Sequence, residues 1–158
     1  MNEELKALYK ADVNERKKLG SSKVGADEEL LEHDKERRKR VKEIIDSGGL
    51  KVAKDFYHAA LIFQHGEASK DFQKANELAR KAMEMGDERA KWLFAASLDR
   101  WLLSVGKPQK FGTQFIQNSQ GEWEVVQPLD ASVTDEERAK YNVPPLSKAL
   151  EAFKQKYM

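Results

Sequence analysis

The chain has 158 residues, 40% hydrophobic and 35% charged, and its 28 Lys and Arg set against 27 Asp and Glu leave a formal net charge of +1. That size suits one domain with a single core, and the composition excludes both intrinsic disorder and a strong overall field that would gather nucleic acid or anionic membrane. Without a cysteine there are no disulfides, thiolate metal sites or cysteine nucleophiles.

The opening MNEELKALYKADVNERKK is charged throughout, unlike a secretory signal, and no apolar run approaches the roughly 20 residues a membrane span needs. The expectation is a cytoplasmic protein with no membrane or nucleic-acid partner. Within 2–18, Leu5, Leu8 and Tyr9 fall at helical spacing among charges, which predicts a short amphipathic helix. Residues 20–25, bounded by Gly20 and Gly25, predict a loop. A second helix is expected over 27–47, with Leu30, Leu31, Val41, Ile44 and Ile45 as its apolar positions and Gly48-Gly49 as its stop. Its basic run, 35–40, is offset by Glu28, Glu29, Glu32, Asp34, Glu36 and Glu43, so it reads as a solvated face rather than a phosphate site. His33-Asp34 is available to a site, although nothing in the sequence requires it.

Three further helices are predicted over 51–65, 70–85 (stopped at Gly86) and 87–105, the last with Asp87 as N-cap. Here an internal repeat appears. Ala59-Ala60 and Ala95-Ala96 lie 36 residues apart (95 − 59), each pair within an apolar helix. Alanines at this period let neighbouring helices pack closely, and the pattern resembles Sel1-like or tetratricopeptide repeats. One clear period is present where an array uses about three, so the reading is a helical domain with a repeat-like centre.

After Val105 the periodicity changes. Residues 114–118 and 122–126 read as two short strands around a turn at 119–121. Thr134, with Glu137 three residues on, predicts a capped helix over 134–140 that Pro144-Pro145 breaks, followed by an amphipathic helix over 146–156. The expected architecture is therefore mainly α and compact over 1–158. It comprises an N-terminal helix and loop (1–26), a helical core with a repeat-like helix-hairpin centre (27–105), a polar loop and small β-hairpin (106–128), and C-terminal helices (129–158).

The candidate chemistry gathers at helix ends. His58, inside FYHAAL, reads as a hydrogen-bonded core histidine. His65 stands at the end of the same helix beside Gln64 and Gly66, where an imidazole either caps the helix or titrates as an acid or base. The two are seven residues apart, about 10 Å along one face and too far to share a metal easily. The 36-residue offset sets Arg100 opposite Gln64 and Trp101 opposite His65, so Asp99-Arg100 is expected beside Gln64-His65. Asp99 would orient the imidazole or pair with Arg100, and Arg100 would hold a carboxylate or phosphate. The segment GKPQKFGTQ over 106–114 turns back from that helix: Gly106 ends it and Pro108 prevents its continuation. Lys107, Gln109, Thr113 and Gln114 would then face a ligand.

Gln64-His65, Leu98-Asp99-Arg100 and the 106–114 segment, followed by an Arg-containing helix and Pro-Leu, together resemble a bacterial family catalogued as a domain of unknown function. The resemblance spans about residues 30–147. It implies that Gln64, His65, Asp99, Arg100, Gln109 and Gln114 share one site; Phe111 stands where that family carries tyrosine. The residue types suggest His65 and Asp99 as catalytic, and Gln64, Arg100, Lys107, Gln109, Thr113 and Gln114 as binding a small-molecule or peptide ligand, anionic in one version. That set fits a hydrolase or lyase needing no metal or cofactor. The alternative is a helical-repeat module that binds a protein or peptide without catalysis. No phosphate-binding glycine loop, serine elbow, zinc motif or dinucleotide fingerprint is present.

Overall fold

The computed structural model describes residues 1–20 and 27–157, and so the loop expected over 20–25 lies, beyond Gly20, outside the described residues. Among the described residues the chain is mainly α, with a two-stranded antiparallel hairpin near its C-terminus. The helices are α1 (Glu3–Leu19), α2 (Glu28–Asp46), α3 (Ala53–Gln64), α4 (Ser69–Glu84), α5 (Arg89–Ser104), α6 (Asp135–Ala139) and α7 (Leu146–Tyr157). The strands are β1 (Phe115–Gln117) and β2 (Trp123–Val125), paired Phe115↔Val125, Ile116↔Glu124 and Gln117↔Trp123.

Side chains fix the helix starts. The Asn2 and Asp27 side chains accept the N–H of Leu5 and Leu30, satisfying donors that a first turn leaves open. Asp55, fully buried in the first turn of α3, accepts from Lys51 N, Val52 N and Asn2 N, so one carboxylate caps α3 and pins the start of α1 against it. Asp87 accepts Arg89 N at the start of α5, close to its expected capping role. The Thr134 hydroxyl accepts Glu137 N at 3.2 Å, as the capping pattern implies. That helix runs Asp135–Ala139, within a residue of the expected 134–140 at each end, and the chain then turns at Asn142, with φ +56°, before Pro144-Pro145 is reached.

The centre is a stack in which α4 packs against α3 on one side and α5 on the other. Its interface is largely alanine: Ala59, Ala60, Ala75, Ala79, Ala90, Ala95 and Ala96 are all fully buried. Side chains this small bring the backbones together. Asn76 of α4 uses that closeness, donating to Phe94 O and Ser97 Oγ of α5. The main core adds Leu5, Val41, Ile44, Ile62, Phe63, Leu78 and Leu93, which tie α1 and α2 to this stack. A second cluster, Ala95, Phe111, Val133 and Val143, secures the loop after α5 and the segment around α6.

The α2 face corrects one reading. Leu30, Asp34, Arg37, Arg38, Val41 and Ile44 form its buried stripe. Arg37 and Arg38 are therefore interior, and the basic run is solvated only in part. Besides Asp34 of α2 itself, their carboxylate partners come from elsewhere in the chain, Asp12 and Glu15 of α1 for Arg37 and Glu67 and Asp71 for Arg38, which composition along α2 alone does not reveal.

Candidate functional site

The segment after α5 is a frame built around one carboxylate. Gly106 has φ +77°, and the bonds Lys107 N–Leu102 O and Gly106 N–Leu103 O close α5 with the paired reverse bonds of a glycine C-cap. The chain then wraps over Asp99, whose Oδ1 accepts Lys110 N (2.7 Å) and Phe111 N (2.9 Å) and whose Oδ2 accepts Thr113 N (3.0 Å) and Thr113 Oγ1 (2.6 Å). Asp99 is fully buried, and burial raises its pKa above the ordinary carboxylate value against the pull of these donors. Gln109, also fully buried, donates to Gln114 O and Val126 O and accepts Gln114 N, acting as a short strand made from a side chain. Arg138 of α6, absent from the sequence-derived set, closes the frame by donating to Phe111 O and Val133 O.

These contacts reassign four expected site residues. Asp99 does not orient His65; its oxygens serve the loop. Thr113 and Gln109 are committed to the same frame rather than turned to a ligand. Lys107 stands exposed beyond the C-cap, with its backbone rather than its ammonium in the motif. The reason is shared: apart from the bridge of Gln109 to Leu129 and the bond from Val126 N to Gln114 O, the 106–114 segment has no helix or ladder to satisfy its backbone N–H and C=O groups, and buried polar side chains do much of it here.

The remaining candidates do meet. Arg100 Nη1 donates to Gln64 O at 2.6 Å, as the 36-residue offset anticipates, and its Nε donates to Gln114 Oε1 at 2.9 Å. Arg38 Nη1 donates to His65 O at 2.9 Å. Two guanidinium groups thus take the last carbonyls of α3, where helix geometry leaves acceptors and partial negative charge. Gly66 follows directly. A Cβ there would stand 2.3 Å from Asp71 Cβ, while Asp71 accepts Glu67 N and Ala68 N to start α4.

His65 is oriented by a residue 53 positions earlier: its Nδ1 lies 2.7 Å from Asp12 Oδ2. A carboxylate only accepts, so Nδ1 carries the proton and Nε2 presents a lone pair. Among the described residues Nε2 has no hydrogen-bond partner, and the side chain remains 20% exposed. Asp12 is itself buried and bonded to Arg16, with Arg37 3.7 Å away; Arg16 and Arg37 both reach Asp34, and Arg37 also pairs with Glu15, whose other oxygen meets His33 Nδ1 at 2.6 Å. Burial first, then the charges of Arg16 and Arg100, push the His65 pKa well below 6.5. The shift favours the uncharged imidazole of His65. The Asp12 carboxylate, accepting from Nδ1, fixes the orientation of the ring.

Beside it, Gln64 is buried and its Oε1 lacks a hydrogen-bond partner. His58 is a core residue, stacked on Tyr9 at 4.3 Å, but its Nδ1 is unpartnered rather than hydrogen-bonded. Asp12, Arg16 and Arg37 escaped the sequence reading, yet a signal existed. They fall on the apolar stripes of their helices, in line with Leu5 on α1 and with Leu30 and Val41 on α2, and a charge on such a stripe has a buried partner.

Among the described residues no group of three or more His, Asp or Glu is placed to hold a metal ion, and no helix is long and apolar enough to cross a membrane. Comparison with protein-family models, curated proteins and solved structures returned no match.

Proposed function

We propose that the C-terminal end of α3 is the active site of an enzyme in which His65 is the general acid/base, oriented by Asp12 in place of Asp99. The observation carrying this reading is the Asp12–His65 bond, with Nε2 left open on a partly exposed ring. A carboxylate on Nδ1 selects the tautomer whose Nε2 accepts a proton, and stabilises the cation that forms once it has. The guanidinium of Arg100, beside Gln114, supplies positive charge for a carbonyl or anionic group of the substrate. Gln64 Oε1, already stripped of water, accepts a hydrogen bond from an N–H or O–H of the same molecule. Hydrolysis or elimination on a small or peptidic substrate is the chemistry these groups serve.

The test is a panel of peptide, acyl-ester and phosphoester substrates assayed with the wild type and with His65→Gln. Loss of about 10²–10⁴-fold in kcat/KM at an unchanged Tm is the expected result. Equal turnover in the two proteins excludes the proposal.

The alanine-packed α3–α4–α5 stack favours a second reading, a helical module that binds a peptide or protein. Under that reading, His65→Gln weakens a binding partner and no substrate of the panel is turned over.

A further inference from the structure

We propose that α1 is a detachable element whose docking on α3 is gated by protonation of His58, so that acid releases α1 while the α3–α4–α5 stack stays folded. The helix is lightly held. Of its 17 residues only Leu5 and Asp12 are buried, while Leu8 and Tyr9 reach the core in part. Its remaining ties are largely polar, among them Asp12 to His65 and Arg16 to Asp34. A helix satisfies its own backbone groups, so α1 can leave as a unit without breaking a ladder in the rest of the chain. The stack behind it, by contrast, is closed by fully buried alanines.

His58 is where a proton acts on this docking. Its ring stacks on Tyr9 of α1 with centroids 4.3 Å apart, and its buried Nδ1 has no hydrogen-bond partner. A proton there creates a buried, charged N–H without an acceptor, a cost that stacking on Tyr9 returns only in part. The charged groups around the ring do not bond to it. Asp55 of α3 is committed to three backbone N–H groups, and Asp87, just before α5, to Arg89, whose guanidinium lies over Tyr57. Lys54 adds positive charge. Burial first, then the charge of Arg89, hold the His58 pKa below 6.5. Once Tyr9 departs with α1, the ring meets water and the ordinary value returns. Docking is thus favoured above pH 6.5 and weakens as pH falls. The other two histidines also meet α1: His65 carries the same sign, and His33, bonded to Glu15, the opposite one. Because α1 carries Asp12, its release takes the orienting carboxylate from His65. That consequence rests on the proposed catalysis, whereas the docking itself does not.

The experiment is amide hydrogen exchange of the full chain at pH 7.5 and 5.5, read by mass spectrometry as protection relative to the unfolded chain. In the wild type the α1 amides should exchange together and ahead of those of α3–α5. The role of His58 is then isolated by comparing His65→Gln with His58→Phe/His65→Gln, since His33 and the carboxylates are common to both. Going from pH 7.5 to 5.5, α1 protection in His65→Gln should fall severalfold relative to the double variant. About tenfold is the ceiling, set by one imidazole that titrates near 6.5 only when undocked. Phenylalanine keeps an aromatic ring against Tyr9, and His58→Leu replaces it if that variant fails to fold. The proposal is overturned if α1 opens only together with α3–α5, or if the two proteins show the same dependence on pH.

Discussion

Asp99 shows how a polar residue that looks catalytic is employed in structure. Four donors converge on its two oxygens, and truncating it would leave Lys110 N, Phe111 N, Thr113 N and Thr113 Oγ1 without their acceptor. Asp99→Ala should therefore cost about 3 kcal/mol or more in a urea titration, since hydrogen bonds to a charged group contribute roughly 1.5–3 kcal/mol each and do not add fully. A cost below about 1 kcal/mol would show that the loop holds itself. His65 is read in the opposite way, through its protons. Its native pKa is depressed below 6.5, so below that pH the unfolded chain takes up a proton that the native chain refuses. Its contribution to stability is present above pH 6.5 and lost as pH falls. His33 runs the other way: the bond to Glu15 raises its pKa, so its contribution is present below 6.5 and lost as pH rises through the native value. The Tm difference between wild type and His65→Gln isolates the first effect, and it should shift against the wild type between pH 7 and 5.5. A constant difference would mean that His65 titrates normally.

At the scale of elements, the sequence was legible wherever the signal was local. Apolar spacing, glycine stops and capping residues placed the helices within a few residues, and the turn around Ser119–Gly121 placed the hairpin. Ala59-Ala60 and Ala95-Ala96 anticipated a real contact, since Arg100 and Gln64 bond across the 36-residue offset. Side-chain commitments were not legible, because Gln109 looks identical whether it faces a ligand or Gln114 and Val126. Gly66 is a useful check on the α3–α4 corner beneath His65. Any side chain there collides with Asp71, so Gly66→Ala should cost about 1–3 kcal/mol by calorimetry, as overpacking does. A neutral outcome would show the corner to be looser than its contacts imply.

Across the whole molecule, the candidate site depends on helices that are remote in sequence. α1 contributes Asp12, Arg16 and Glu15, α2 contributes Asp34, Arg37 and Arg38, and α3 ends at the histidine they surround. That assembly lay hidden because a single sequence shows charges on a stripe without showing which stripes meet. The central claim is that these helices hold His65 as a neutral base with its proton on Nδ1. The most direct measurement is ¹⁵N NMR of the histidine ring nitrogens from pH 8 to 5, in the wild type and in Asp12→Asn. The account predicts for the wild type a protonated Nδ1, a bare Nε2 and a midpoint below 6.5, with the tautomer preference lost in Asp12→Asn. A proton resident on Nε2, or a midpoint above 6.5, would contradict it.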